Sequence, residues 1–422
     1  MIQTGLDLCN HLHDLARTHN GQNVWVRFSD VPIFLIQRFE DADYVLRLNH
    51  KNYLKNMVWF RQAIGRSRFS EDGQEWEVRR DLTQPFFVRF DRQATFALAC
   101  KYARKVLPEL VRASQAGQTT MDDDTLRRMA ISVLIENFFG ITLEQANVDI
   151  TNLGHLMEYS ADMALVPPGQ SSQASKELQH KLTELRQQTL KDLAPFRQGK
   201  IPSSPLLDAL LQADRDGKVV LEHELLTLFS AGAETTAATV GWLCYLLARY
   251  PQKQEELYQI CAPYTDTADW QSISKLELIG AWISEALRLF PSSPILDRLA
   301  IQDDVIGGEP IKAGQNIMIS LIGVQHDERL HPSAWELHLG DDKRPAQNRK
   351  NSGVNTAFSL GPRVCGGKNF ALVELAGFLH TLVTHARFTL TSETPPRFAW
   401  KALMLREGGQ PVHVAMREGV SL

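Results

Sequence analysis

The residues able to do chemistry gather at a few places in the chain. The first is Phe358-Ser-Leu-Gly361-Pro-Arg363-Val-Cys365-Gly366-Gly367. A sulfur that ligates a metal does so as the thiolate. Cys365 precedes a helical pattern, so free backbone N–H groups and the helix dipole favour negative charge on it. Gly361, Gly366 and Gly367 let the backbone turn tightly and approach a flat cofactor without side-chain clash. Phe358 is spaced to shield the sulfur, and Arg363 to pair with an acidic group on the cofactor's edge. The second place is Ala231-Gly232-Ala233-Glu234-Thr235-Thr236, inside a long apolar helical pattern. An acid and a hydroxyl there are costly unless hydrogen-bonded, and Gly232 removes a side chain where a ligand could approach. The alternative for Thr235 is a hydroxyl bonded back to its own helix. A third place holds Glu285 and Arg288, which at i, i+3 share a helix face. Trp76 and Arg80, at i, i+4, can grip one carboxylate together.

These groups need rigid supports. Leu221 to Tyr250 predicts the longest helix, about 45 Å at helical rise, ended by Pro251. It is apolar nearly all round from Leu225 to Leu247, which predicts burial. A second helix is expected from about Lys275 to Phe290, opened by a capping box of Ser274 and Glu277 and closed by Pro291. A third follows Cys365, with Leu372, Leu375, Leu379 and Leu382 on one face. Asn23 to Phe28, Ile33 to Gln37 and Asn316 to Leu321 read as strands, and Gly307-Gly308 as the turn of a hairpin within Val305 to Gly314. Pro167, Pro168 and the stretch 169–175 separate two helical stretches. Residues 395–416 read as a terminal hairpin. The chain is expected to form one unit over 1–422, β-rich near 20–40, 295–325 and 385–416, and helical over 41–290 and 365–385.

Bulk properties exclude several classes. The 422 residues carry 44% hydrophobic side chains, enough for a large core, and a formal charge of -4 from 45 basic and 49 acidic residues. Nucleic-acid binding is not expected from that balance. Cys9, Cys100, Cys244, Cys261 and Cys365 form no C-x-x-C pair, which argues against zinc and iron–sulfur sites and against a disulfide framework. The start of the chain lacks a signal-peptide pattern, and no long apolar run suggests a membrane anchor. A cytoplasmic protein is expected.

Taken together, these segments resemble the cytochrome P450 family. The spacing F-x-x-G-x-R-x-C-x-G is the specific signal; A-G-x-E-T at 231–235, E-x-x-R at 285–288, and W-x-x-x-R at 76–80 after Gly73 follow in the family's order. The resemblance runs from about residue 30 to residue 416 and implies a mainly α fold with small β-sheets. It implies haem b between the long helix and the cysteine-loop helix, with Cys365 on the iron. Trp76, Arg80, Arg298 and Arg363 would neutralise the propionates; Gly232, Phe358 and Gly367 would also contact the haem. Glu234 and Thr235 would deliver protons during dioxygen activation. Glu285 and Arg288 would hold the cysteine loop, completed by Arg344 or by Arg349; the stretch Leu337 to Arg344 departs from the family's usual aromatic-x-Pro-acid-Arg pattern.

By the same resemblance, Phe60, Leu228, Ser293, Ile295, Leu296 and Leu403 would line the substrate pocket, which suggests a small, mainly apolar or aromatic substrate. Short length and the missing anchor resemble the soluble bacterial members. No flavin or ferredoxin domain is fused, so a separate ferredoxin or flavodoxin and its NAD(P)H reductase would supply electrons to a monomeric enzyme. Arg79, Lys368 and Arg89 are expected on the face that receives the donor. Besides monooxygenation, three readings stay open: oxidative coupling of phenolic or heteroaromatic substrates, peroxide-driven oxidation, and haem sensing without turnover.

Overall fold

The computed structural model describes residues 5–28, 31–164, 166, 172–340 and 355–419. Helices dominate, because most of the chain between residues 58 and 290 alternates apolar and polar residues at helical spacing. The central helix runs Leu221–Arg249 and ends where Pro251 starts the next one, Pro251–Cys261. It is buried over most of its surface and packs against Asp123–Phe139, Glu277–Leu289 and the cysteine-side helix Lys368–His385. Helix Gly73–Val88 carries the tryptophan–arginine pair. Helix Ile150–Ala164 and helix Gln173–Asp192 pack on each other beside the short helix Val58–Ala63.

The largest sheet has five strands. Val24–Phe28 and Val31–Ile36 form an antiparallel hairpin; Asn316–Ser320 joins in parallel, then Ile295–Ala300 and Tyr53–Leu54 in antiparallel. The register Arg298↔Ile317 fixes which face Arg298 takes, since side chains alternate along a strand. Gly307 and Gly308, with φ of 58° and 90°, make the expected turn between Asp304–Ile306 and Glu309–Ile311.

Two local expectations are corrected. The helix after Ser274 opens at Glu277 with Leu276 as its uncapped N-cap, and Ser274 Oγ instead donates to Gln271 O at 3.3 Å. Ser274 closes the preceding short helix Trp270–Ile273, which takes its cap from Asp269, so the capping-box spacing spans two elements. Residues 395–416 do not make one hairpin. Phe398–Trp400 pairs with Met404–Arg406, whereas Val412–Met416 pairs with Ala386–Leu390, the strand that leaves the cysteine-side helix. Gly408 and Gly409, both with positive φ, turn the chain from one pair to the other.

Candidate active site

The cysteine loop is held in shape by its own backbone. Cys365 N–H donates to Phe358 O at 2.8 Å, and Ser359 adopts φ 64°, a strained value for a residue with a side chain. Gly361, at φ 66°, lies against the neighbouring main chain, where a Cβ would collide with Leu46 O and Arg47 Cα. Glycine is required there by a close backbone approach. Gly366 faces the Arg68 guanidinium, while a Cβ on Gly367 would find only Phe87 Cδ1, at 4.0 Å.

Four of the five cysteines are buried and free; Cys365 is accessible, yet it lies in a recess ringed by protein. Burial pushes its thiol up, while the N–H groups of Gly367 and Lys368 and the cations Arg68 and Lys55 pull it down. Phe358 is half-buried, with Lys368 Nζ 5.8 Å above its ring.

A group of cations lies next to this loop. The Trp76 ring has Arg80 on it at 4.7 Å and Arg363 at 4.5 Å. Arg80 also pairs with Asp81 at 2.7 Å. Arg363 donates to Glu71 O at 2.7 Å and stands 3.7 Å from Asp72. Arg298 is buried and donates to Asp297 O at 2.7 Å. Burial lowers Arg298 and Arg363 each to about 10, and it lowers Lys55 well below the usual lysine range, with Arg363 and Arg298 adding repulsion. Burial raises Asp297 to about 6 against the pull of Arg298 and Lys55. Three mutually repelling cations, Lys55, Arg298 and Arg363, thus share chiefly Asp72 and Asp297. That surplus of positive charge fits the acidic edge of a haem, and the accessible thiol fits its iron. Lys55 has no motif to announce it.

The central helix has one accessible stripe. Leu228, Gly232 and Thr235 are half-buried and Ala231 is exposed, at i, i+4, i+7 and i+3, while the rest of that helical stretch is buried. Thr235 Oγ1 donates to Ala231 O at 2.8 Å, and Thr235 O accepts from Thr239 Oγ1 at 2.8 Å and Ser292 Oγ at 3.0 Å. A Cβ on Gly232 would collide with Leu134 Cδ1, so this glycine admits a neighbouring helix. Glu234 turns away from the stripe. Its Oε2 accepts from Arg127 Nε at 2.7 Å, and Arg127 also pairs with Asp124. Burial raises Glu234, opposed by Arg127.

Glu285 and Arg288 form a buried bidentate pair, both bonds 2.8 Å. Arg288 further donates to Gln325 O at 3.4 Å, to Glu336 O at 2.7 Å and to Ala334 O. Glu285 Oε2 accepts from His338 N at 2.8 Å. Among the described residues, main-chain groups of 325–338 complete this pair. Arg344 and Arg349, expected as its third partner, lie outside the described residues.

Of the expected pocket residues, Ser293, Ile295 and Leu296 are half-buried at the entry to strand Ile295–Ala300. Phe60 is buried against Trp59 and Phe69, and Leu403 is buried beside Ala238 and Leu405. The expected donor-docking face needs a correction. Arg79 is buried and paired with Glu224 at 3.2 Å, because it turns toward the central helix; Lys368 and Arg89 are exposed.

Comparisons with known proteins point to one family. The family model "Cytochrome P450" matches residues 1–412. Human cytochrome P450 4F12 is 31% identical over 227 residues, 49% of this chain and 42% of that protein. Mouse leukotriene-B4 omega-hydroxylase 3 is 30% identical over 421 residues, 90% of this chain and 79% of that protein. The crystal structure of a cytochrome P450DA mutant heme domain superposes with a TM-score of 0.80 at 16% identity, covering 98% of this chain and 94% of that one. No helix among the described residues is long and apolar enough to cross a membrane. The chain belongs to the cytochrome P450 family of monooxygenases.

Proposed function

We propose that this chain binds haem b through the Cys365 thiolate and inserts one oxygen atom from O2 into a small, mainly apolar or aromatic molecule. The observation that carries the reading is the accessible Cys365 thiol, set in a strained loop beside a surplus of buried and half-buried cations. Haem, when bound, supplies the dioxygen chemistry and the storage of electrons. Trp76, Arg80, Arg298 and Arg363 hold its acidic edge, with Lys55 as a fifth contributor.

The chain's own residues then manage protons and water. Thr235 Oγ1 spends its hydrogen on Ala231 O, which leaves its lone pairs directed to the accessible stripe as an acceptor. Glu234 holds a proton more readily than an exposed carboxyl, and the Arg127 guanidinium limits that tendency. A proton carried by Glu234 Oε1 or Oε2 reaches the stripe through water, once the side chain releases Arg127. Phe60, Leu228, Ile295, Leu296 and Leu403, with Ser293, supply a largely apolar wall that holds the substrate and excludes bulk water.

Electrons come from a separate ferredoxin or flavodoxin, which docks near Lys368 and Arg89. The test is the ferrous carbonyl spectrum of the purified protein. A red-shifted Soret band of thiolate ligation is expected, absent in Cys365→Ala. A wild-type spectrum of histidine ligation would overturn the proposal.

A further inference from the structure

Three parts of the chain that supply expected pocket residues meet at one buried serine. Ser292 stands in the short loop Pro291-Ser292-Ser293-Pro294, between helix Glu277–Leu289 and strand Ile295–Ala300. Its hydroxyl donates to Thr235 O on the central helix at 3.0 Å and lies 2.8 Å from Thr239 Oγ1. Its carbonyl accepts from Met404 N at 2.9 Å, and Met404 O accepts from the Trp242 indole at 3.0 Å. Leu403, next to Met404, packs on Ala238. The residues after Ser292 lead into Ile295 and Leu296. Ser293, by contrast, turns its hydroxyl back on Ile295 O at 3.5 Å, within its own loop.

The bond to Thr235 O differs in kind from its neighbour. Thr239 returns its hydroxyl to the carbonyl one turn back, at 2.8 Å, as Thr235 does to Ala231. That bond joins the helix to itself. The Ser292 bond comes from 57 residues away and joins the helix to the loop. Both hydroxyls are buried, Thr239 at 2% and Ser292 at 6% exposure, so bulk water does not replace a lost partner. Three contacts link Thr235 O, Thr239 Oγ1 and Ser292 Oγ, yet only two hydrogens are available, one on each hydroxyl. Thr235 O therefore keeps a donor when either hydroxyl is removed. The two hydroxyls are still not equivalent. Without Thr239 the loop stays tied to the helix, and without Ser292 it does not. The accessible stripe also ends here. Thr235 is half-buried, whereas Ala238 and Thr239, one turn on, are buried against Leu403 and Ser292.

We infer that Ser292 is a positioning residue: it clamps the loop leading into Ile295 and Leu296 to the main chain of Thr235, so that the substrate wall and the Thr235 hydroxyl hold one mutual position. This deepens the monooxygenase reading and rests on it. A molecule seated against Ile295 and Leu296 then bears on Thr235 through a single hydroxyl. Its reacting carbon is held at a set distance from the group that orders the proton donor. The clamp acts through the main chain and needs no contact between Ser292 and the substrate.

The test uses haem-loaded, reduced protein with carbon monoxide as the probe. The infrared C–O stretch responds to polar groups beside the bound gas, so Thr235 held in one position gives one dominant band and a second position adds a minor one. Ser292→Ala should raise the ratio of minor to dominant band by about two- to twelvefold, the bias that one hydrogen bond of ordinary strength exerts. Ser292→Thr, which keeps a hydroxyl, should bring the ratio back toward wild type. Thr239→Val should leave it near wild type, because Ser292 still holds Thr235 O. A merely structural role predicts otherwise: each variant deletes one buried hydroxyl, and both would move alike. An unchanged ratio in Ser292→Ala, an equal change in Thr239→Val, or no recovery in Ser292→Thr would each overturn the inference. Ser292→Cys, of similar size and a weak donor, takes the place of alanine if that variant loses haem. The visible carbonyl spectrum is recorded on every sample. A thiolate band in wild type alongside an unchanged ratio removes the clamp and leaves the monooxygenase reading standing; a wild type without the thiolate band removes the reading itself.

Discussion

Replacing Arg288 by lysine keeps the charge and removes the geometry. A guanidinium has five N–H donors in a fixed fork, and all five are used here: Nε on Glu285 Oε1, Nη2 on Glu285 Oε2 and Glu336 O, Nη1 on Gln325 O and Ala334 O. An ammonium has three donors on a point charge and cannot bridge the two carboxylate oxygens and three carbonyls together. At least two buried acceptors lose their partner, at about 1–3 kcal/mol each. The expected loss is therefore about 2–6 kcal/mol, a large part of the roughly 5–15 kcal/mol that holds an ordinary domain folded. The damage should reach the cysteine loop. Asn355 Nδ2 donates to Ser284 O at 3.0 Å and Thr356 N donates to Gln325 Oε1 at 3.2 Å, and both residues lead directly into Phe358. Urea unfolding of the haem-loaded protein, with transfer of haem to an excess of an apo-globin, reads both effects. Lysine should lower the midpoint and speed haem loss, and Arg288→Ala should do so more. A lysine variant within about 0.5 kcal/mol of wild type, the ordinary range of a surface change, would refute the idea that the guanidinium fork ties 325–338 to the loop.

Other outcomes follow from the same geometry. Arg80→Ala with Arg298→Ala should release haem at least about tenfold faster, since charged hydrogen bonds are worth about 1.5–3 kcal/mol each; unchanged haem transfer would mean these side chains do not touch the propionates. Thr235→Ala should keep haem and consume electrons but yield less organic product and more hydrogen peroxide per electron. Thr236→Ala should leave that ratio alone, because its hydroxyl donates to the buried Glu374 at 3.3 Å on another side of the helix; equal ratios in wild type and Thr235→Ala would discount Thr235. Burial raises Glu224 to about 7, above its usual 4.5, with the Arg68 N–H and Arg79 opposing. The folded state therefore holds this proton more tightly, and stability falls as pH rises from about 4.5 through about 7. The melting temperature of Glu224→Gln minus that of wild type should then grow between pH 5 and pH 8, and a flat difference would show Glu224 ionised throughout as the partner of Arg79.

How much of this was legible beforehand depends on sequence distance. The cysteine loop, Trp76 with Arg80, and Glu285 with Arg288 lie within one or two turns, and spacing alone brings their members together. The hairpin at Gly307-Gly308 is local in the same way. Arg127 lies 107 residues before Glu234, and no periodicity links them. Charge alone suggests an exposed Arg79, but the helix turns it inward. Around the helix axis it lies about 60° to one side of Trp76 and Arg80 about 40° to the other, so one arginine meets Glu224 and the other stays beside the ring. The 395–416 segment shows a further limit. Alternation marks a strand and its buried face, but the partner is chosen by what else is near; Val412–Met416 found Ala386–Leu390, delivered beside it by the cysteine-side helix.

The central helix shows why an apolar pattern understates a functional site. Residues 225 to 247 read as apolar nearly all round, which predicts one uniform burial, yet four positions at helical spacing stay accessible. Hydropathy reports what a surface will not face, bulk water, and a cavity wall and a core wall satisfy that condition equally. The two interpretations of Thr235, a hydroxyl bonded to its own helix and a hydroxyl facing a ligand, also prove compatible. Its hydrogen goes to Ala231 O while the side chain remains on the accessible stripe. Such a group can accept a hydrogen bond at no cost, but it can donate one only after breaking the bond to Ala231. Under the proposed monooxygenase function, its part in proton delivery would therefore be that of an acceptor that fixes a donor in place, and the proton itself would have to come from elsewhere, with Glu234 the nearest acid on the helix.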